Sequence, residues 1–99
     1  MDGLKATVDF FADYGEAEAR RIAQERNLDL VIVPNDPTFC SEMHYVKYGH
    51  TFPDAVERTL AYQLVTGRRA PFWLREVPLQ DGSFSPFVRI YRTQLEPGR

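Results

Sequence analysis

Apolar and polar residues alternate over 4–10, which is the first clear pattern in the chain. A period of two is typical of a strand that buries one of its faces. The alternative uses the helical spacing of Leu4, Val8 and Phe11 and predicts a helix over the same residues. We favour the strand and keep the helix as its alternative.

Helix-forming residues fill the next segment, 17–27, after a start signal. Asp13 and Glu16 have the spacing of a capping box, in which two side chains bond free N–H groups at the start of a helix. Glu16 and Arg20 are four positions apart, and we expect them to form an ion pair. The predicted buried positions of this helix are Ala19, Ile22 and Ala23.

Two strands are predicted between this helix and residue 50. Residues 28–33 form a short apolar run that ends at the turn residues 34–37, which is typical of a central strand buried on both faces. Residues 43–48 contain four apolar or aromatic side chains that favour a further strand, which we place at the edge of the sheet.

A single helix is predicted from Thr51 to Gly67. Thr51 is suited to cap this helix, Pro53 fits its first turn, and Asp54 complements the positive end of its dipole. Gly67 marks the end, because glycine adopts the left-handed conformation there without steric cost. The apolar stripe consists of Phe52, Val56, Leu60 and Leu64.

A two-stranded ribbon is predicted at 72–79 and 87–93, on either side of Asp81-Gly82. An Asp-Gly pair between β-prone runs favours a tight hairpin with a type I′ turn. Both faces of this ribbon carry apolar side chains, and a chain of this length has limited material with which to cover both.

The predicted order of elements is βαββαββ. This order resembles a ferredoxin-like (split βαβ) plan with one strand added, two helices on one face of the sheet and a C-terminal β-hairpin. The predicted fold class is α+β, with residues 1–99 in a single domain and 95–99 as a frayed tail.

Composition narrows the classes of function. The hydrophobic share of 43% suffices for a core, and the net charge of −2 gives no general attraction to nucleic acid. Cys40 is the single cysteine, so an internal disulfide is excluded and a reducing compartment is favoured. With no signal-peptide pattern and no apolar run of membrane length, we expect a cytoplasmic protein that does not enter a membrane.

The residues with catalytic or metal-binding chemistry match no standard motif. Cys40, Glu42, His44 and His50 are suitable zinc ligands, but their spacing fits no known zinc site. Cys40 with either histidine is the alternative of a thiolate and its base. We predict no metal and no other cofactor, and read the cysteine as a small buried side chain.

Two aspartates, together with His44, support an alternative enzymatic interpretation. Asp13, Asp36 and His44 could serve a small metal-dependent hydrolase or nuclease. Capping and turn chemistry already account for both aspartates, so this hypothesis ranks last.

Arginine and aromatic residues cluster in the second half of the chain, where all seven basic residues are arginine. Such residues are enriched at protein interfaces. Cross-strand packing is the competing explanation, in which Trp73 stacks on Arg92 and Glu76 pairs with Arg89. The predicted partner-binding residues are Arg68, Arg69, Trp73, Arg75, Phe87, Arg89, Tyr91 and Arg92.

The leading hypothesis is a small non-enzymatic protein that binds a folded partner protein stoichiometrically, as an inhibitor or adaptor. Small phage-encoded inhibitors of host nucleic-acid machinery belong to this class. Direct binding of nucleic acid by the same arginines and aromatics is the alternative. A homodimer through the open face of the ribbon competes with both.

Overall fold

Five helices and three strands make up the part of the chain that the structure, a computed structural model, describes: residues 2–67 and 70–94, with side chains from residue 5 onward. The helices are α1 (Asp2–Phe11), α2 (Ala17–Glu25), α3 (Pro37–Tyr48), α4 (Pro53–Val56) and α5 (Leu60–Thr66). The strands are β1 (Leu30–Pro34), β2 (Leu74–Glu76) and β3 (Val88–Thr93). Arg68 and Arg69 and the predicted tail at 95–99 lie outside the described residues.

The three strands form one antiparallel sheet in the order β1-β3-β2. β3 lies in the centre, where Tyr91 pairs with Val31 of β1 and Arg92 pairs with Arg75 of β2. The α+β class is therefore confirmed for this small single domain. The ferredoxin-like topology is wrong, because two of the predicted strands are helices and the sheet has three strands.

The first predicted strand is the helix α1. Phe10 and Phe11 are neighbours in the chain, yet both are buried, and their rings contact each other edge to face with centroids 5.1 Å apart. A strand sends neighbouring side chains to opposite faces, so it could bury both only between two layers. A helix buries them together with Val8 on one side, as the alternative interpretation predicted.

The strand predicted at 43–48 lies inside α3. The side chain of Asp36 accepts the N–H of Thr38 at 3.0 Å, Pro37 occupies the first turn, and Gly49 ends the helix with φ 80°. The segment around Asp36 is thus a helix start rather than a simple turn. Exposed Tyr45 and Val46 explain the error, because their side chains favour strands but contribute little to the core.

The helix predicted from Thr51 is divided into α4 and α5. Phe52 rather than Thr51 precedes the first of them, and its side chain forms no capping bond. Thr59 starts the second, since its hydroxyl accepts the N–H of Tyr62 at 3.3 Å. Gly67 ends it in the left-handed conformation, with φ 69°, as predicted.

α2 matches its predicted extent and buried residues, but the predicted capping box of Asp13 and Glu16 does not form, because Glu16 makes no side-chain capping bond. Its buried residues are Ala19, Ile22 and Ala23. Asp13 caps it by accepting the N–H groups of Glu18 and Ala19 at 3.1 Å. The expected ion pair from Glu16 to Arg20 is replaced, because Glu16 instead accepts a hydrogen bond from Nε1 of Trp73 at 3.3 Å.

The apolar run at 28–33 supplies β1, which is an edge strand and not the predicted central one. Val31 and Val33 are buried beneath the helices, whereas Leu30 is 46% exposed and Ile32 58% exposed. Pro34 ends this strand, which is consistent with an edge because proline offers no N–H to a neighbouring strand.

The Asp81-Gly82 turn is present but is not the predicted tight one. Leu79 accepts the N–H of Gly82 at 2.9 Å and donates its own N–H to Ser83 at 2.7 Å, which leaves a three-residue loop. Gly82 has φ 85°, and Asp81 is not among the described residues with positive φ. This geometry is typical of a type I turn with a left-handed glycine in a bulge.

The core lies between the helices and the inner face of the sheet. Trp73 is fully buried against Phe10, with ring centroids 6.1 Å apart. Tyr91 reaches from β3 to α5, where its hydroxyl donates to the carbonyl of Leu64. Within residues 2–67 and 70–94, no helix has the length and apolar character needed to cross a bilayer.

Candidate functional site

The sheet has one face that none of the described helices covers. Side chains alternate between the two faces of a strand, and the inner face carries the buried Val31, Val33 and Tyr91. We call the opposite side the outer face. Its residues are Leu30, Ile32, Arg75, Val88, Ile90 and Arg92.

Pairing places these side chains in cross-strand rows. Leu30, Arg92 and Arg75 form one row, because Arg92 lies opposite Leu30 on one side and Arg75 on the other. Ile32 and Ile90 lie opposite each other in the next row. The outer face therefore combines an apolar strip with two adjacent guanidinium groups.

Within the described residues, no opposite charge balances Arg75 or Arg92. Both side chains are exposed, and neither forms an ion pair with a carboxylate of the described residues. Like charges directly opposite each other destabilise a sheet pair. A carboxylate from outside the chain that binds between the two guanidinium groups would offset this repulsion.

Large apolar side chains continue beyond the end of the sheet. Phe87 immediately precedes β3 and is 79% exposed. Phe84 and Leu79, in the loop between β2 and β3, are exposed as well. This loop and the outer face together present more apolar surface than scattered single residues would.

The predicted partner-binding residues separate into three groups. Arg75, Phe87 and Arg92 are exposed. Trp73 and Tyr91 are buried, so they support the fold and offer no surface to a partner. Arg89 lies on the inner face, and Arg68 and Arg69 lie outside the described residues.

Arg89 is occupied within the chain. Its Nη1 atom is 3.0 Å and 3.1 Å from the two carboxylate oxygens of Glu76, which confirms the predicted Glu76–Arg89 pair. The guanidinium also packs against Gly67 at the carboxyl end of α5, where the helix dipole favours a positive charge. The predicted stacking of Trp73 on Arg92 is wrong, because the indole is fully buried beside α1.

Sequence reasoning missed Leu30 and Ile32 as surface residues. Their continuous apolar run was interpreted as buried on both faces. The available signal was Pro34, because proline within a strand is confined to an edge or a strand end.

A second cluster surrounds His44, which is fully buried. Its Nδ1 atom is 2.7 Å from the carbonyl oxygen of His50, and a carbonyl can only accept, so Nδ1 carries the proton. With the proton on Nδ1, Nε2 is available to accept a hydrogen bond from the hydroxyl of Tyr14 at 2.6 Å. Both ring nitrogens are satisfied, as buried polar groups require.

The aromatic neighbours of this cluster hold it in place. Tyr48 stacks on Tyr14 with centroids 4.7 Å apart and an angle of 15° between the rings. The hydroxyl of Tyr48 donates to the carbonyl of Ala12 at 3.3 Å. The cluster therefore joins α3 to the segment between α1 and α2, and its polar atoms are used for that purpose.

The chemical groups considered for catalysis are also used structurally or are separated. Cys40 is buried, and burial raises the pKa of its thiol to about 11, so the thiol is protonated at neutral pH. Asp13 and Asp36 cap two different helices. Among the described residues, no three histidine, cysteine, aspartate or glutamate side chains lie close enough to hold a metal ion.

Comparison of the chain with protein-family models, with characterised proteins and with solved structures gives no match.

Proposed function

We propose that this protein is a non-catalytic binding protein whose outer face docks onto an acidic surface of a folded partner protein. The observation that carries this proposal is the pairing of Arg75 with Arg92, without a described counter-ion, beside an uncovered apolar strip. Such a protein would act stoichiometrically, as an inhibitor or adaptor does.

The apolar strip supplies the drive for association. Ile32 is 58% exposed and lies beside Ile90 on the same face. Fully burying an isoleucine side chain contributes about 1.5–3 kcal/mol. A partner that covers this strip gains the share of that energy that belongs to the surface still exposed. Because the backbone of this surface is already fixed, little order is lost on binding.

The two arginines supply selectivity. A guanidinium binds a carboxylate through two parallel hydrogen bonds, and Arg is enriched at the centres of interfaces. Binding of an acidic side chain between Arg75 and Arg92 would also remove their mutual repulsion. The loss of this repulsion makes binding more favourable, so an acidic partner is favoured over a neutral one.

Nucleic acid is the second candidate, because exposed Phe84 and Phe87 could stack on bases near the same arginines. The net charge of −2 does not favour it. An affinity for a single-stranded oligonucleotide that falls steeply between 50 and 200 mM salt would favour nucleic acid over protein.

Site-specific photo-crosslinking tests the proposal. A photoreactive phenylalanine analogue replaces Ile90 on the outer face or, as a control, exposed Tyr45 on α3. We expect one protein from a lysate of the source cells to crosslink from position 90 and not from position 45, and to bind the purified chain with one-to-one stoichiometry. Crosslinking only from position 45, or from neither position, would contradict docking by the outer face.

A further inference from the structure

An open groove of about 380 Å³ lies between α1, α2 and the free edge of β1. Its lining is mostly apolar. The lining includes Ala6, Phe10, Ile22, Arg26, Leu30 and Ile32. This groove follows the free edge of β1, where Leu30 and Ile32 of the outer face also line it, but its lining does not include Arg75 or Arg92.

The edge of β1 beside this groove carries backbone groups that pair with none of the described strands. Thr93 donates its N–H to the carbonyl of Asp29 at 3.0 Å, and Asn35 donates to Phe87 at 2.9 Å. Hydrogen bonding to β3 therefore falls on odd-numbered residues of this segment, and alternation in an antiparallel pair sends the groups of even-numbered residues outward. Leu30 and Ile32 direct N–H and C=O groups away from the sheet, and Pro34 directs a carbonyl there.

Arg26 adds a charge to the apolar lining. It directly follows α2, its side chain is exposed, and it makes no ion pair with a described carboxylate. A cation beside an otherwise apolar groove favours a ligand that combines apolar groups with a carboxylate.

We infer that this edge binds an extended peptide segment, which adds to β1 as a fourth strand. Its backbone would bond the outward groups of Leu30 and Ile32, and alternate apolar side chains would enter the groove. An aspartate or glutamate of the peptide would pair with Arg26. This inference goes beyond the proposed function, because it concerns the sheet edge and a linear partner rather than the outer face and a folded one.

A second copy of the chain fits this groove poorly. A second β1 strand would have to fill it with Val31 and Val33, and both are already buried in the core of their own chain. It would also bring its own Arg26 to the same edge, where the two cations repel. A peptide has free side chains and can supply the opposite charge.

A selection experiment tests the inference. A displayed library of random eight-residue peptides is enriched on the purified protein, and the peptides recovered are synthesised and titrated by fluorescence anisotropy. We expect sequences with apolar residues two positions apart and at least one acidic residue. Their amide contacts should shift the ¹H–¹⁵N resonances of Leu30 and Ile32. Failure to enrich any such sequence would overturn the inference.

Two substitutions at Ile32 separate the contribution of its backbone N–H from that of its side chain. Ile32→Pro removes an outward N–H without touching the pairing with β3, and we expect the affinity to fall at least about tenfold. Ile32→Ala keeps the N–H, and its affinity should stay within about threefold, since the ladder carries the affinity. Equal affinity of the wild type and Ile32→Pro would overturn the inference.

Peptide chemistry gives a test that does not depend on the variant folding. Two forms of the selected peptide are compared, one methylated on the backbone nitrogens of its odd-numbered residues and the other on those of its even-numbered residues. One form should lose binding, and the other should bind nearly as well as the unmodified peptide. Equal binding of both methylated forms would contradict strand addition. Sedimentation showing a dimer of the wild type that Ile32→Pro dissociates would also contradict it, because the edge would then bind a second copy.

Matched charge variants distinguish this site from the proposed function. Arg26→Gln should weaken acidic peptides by about tenfold or more, the effect of a lost charge-assisted hydrogen bond, and leave their neutral analogues unchanged. Replacing both Arg75 and Arg92 by glutamine should leave peptide binding intact. Peptide binding that is lost with the outer-face arginines would place the peptide on the outer face and overturn the inference.

Discussion

Arg75 and Arg92 lie directly opposite each other on β2 and β3, so two guanidinium groups occupy neighbouring positions of the outer face. Both are exposed and neither is paired with a described carboxylate. This contrasts with Arg89 on the inner face, which is paired with Glu76. The same two strands thus carry one arginine used for folding and two that the fold does not use.

Arg75→Glu is expected to raise the stability of the fold. The substitution converts a repulsive cross-strand pair into an attractive one, which contributes about 0.2–1 kcal/mol. Urea denaturation measures the change in the free energy of unfolding. Arg75→Gln removes only the repulsion and should give a smaller increase. A decrease with the glutamate variant would show that Arg75 has a structural role on the outer face.

Gly67→Ala is expected to destabilise the protein more than Gly49→Ala. Both glycines end helices with positive φ, 69° and 80°, where alanine costs about 1–2 kcal/mol. Only at Gly67 would the new Cβ also lie 2.7 Å from Nη1 of Arg89, whereas Gly49 has open space. The guanidinium must move, which weakens its pair with Glu76. Thermal unfolding of both variants measures the difference, and equal losses would show that Arg89 adapts freely.

His44→Ala is expected to cost about 3 kcal/mol or more, because it creates a cavity and removes both hydrogen bonds of a buried ring. Tyr14→Phe removes only one of those bonds and should cost about 1 kcal/mol. Chemical denaturation near neutral pH gives both values. A loss below about 0.5 kcal/mol for the alanine variant would indicate that the cluster does not support the fold and would reopen a chemical role for it.

The protein is expected to lose stability in alkaline solution. Burial raises the pKa of the Cys40 thiol from 9.0 to about 11, and burial also raises the pKa of the Tyr91 hydroxyl. The pKa of Cys40 is higher in the folded protein than in the unfolded chain. The stability that the protonated thiol contributes is therefore fully present below pH 9 and is lost as the pH rises through 11. For Cys40 the loss is on the order of 2 kcal/mol.

Denaturation profiles from pH 7 to 11 test this expectation. In Cys40→Ala the free energy of unfolding should fall less steeply with pH, and the slope that remains is due to Tyr91 and other groups. Tyr45→Phe is the control, because Tyr45 is exposed and its replacement should leave the slope unchanged. A slope that Cys40→Ala does not alter would show that the thiol ionises without opposing the fold.

Local sequence signals predicted the parts of the fold that depend on short-range interactions. Asp13 before α2 and Gly67 after α5 were identified correctly, because capping depends on residue type and spacing over a few positions. The pair of Glu76 and Arg89 was identified because cross-strand neighbours of opposite charge attract.

The errors arose where burial depends on distant parts of the chain. The alternation over 4–10 fits a strand, but Phe10 and Phe11 are both buried because Phe10 contacts Trp73 and Phe11 contacts Phe39. No local pattern contains those contacts. The same limit applied to β1, whose apolar run does not reveal that Ile32 faces away from every described helix.

Exposure divides the predicted partner-binding residues, and the sequence does not reveal that division. Arg75, Phe87 and Arg92 are exposed, as a binding surface requires. Trp73 and Tyr91 are of residue types common at interfaces, but these types are equally common in cores, and the sequence does not distinguish the two. The position of each side chain relative to the helices decides which arginines remain free.

Titration calorimetry of the partner captured by crosslinking, with the wild type and Arg75→Glu, tests the docking of the outer face most directly. We expect the variant to be at least as stable as the wild type yet to bind at least about tenfold more weakly, since a carboxylate replaces a guanidinium opposite an acidic partner. Arg58→Glu, on the helical side of the molecule, should bind as the wild type does. Undiminished affinity of Arg75→Glu would contradict the account.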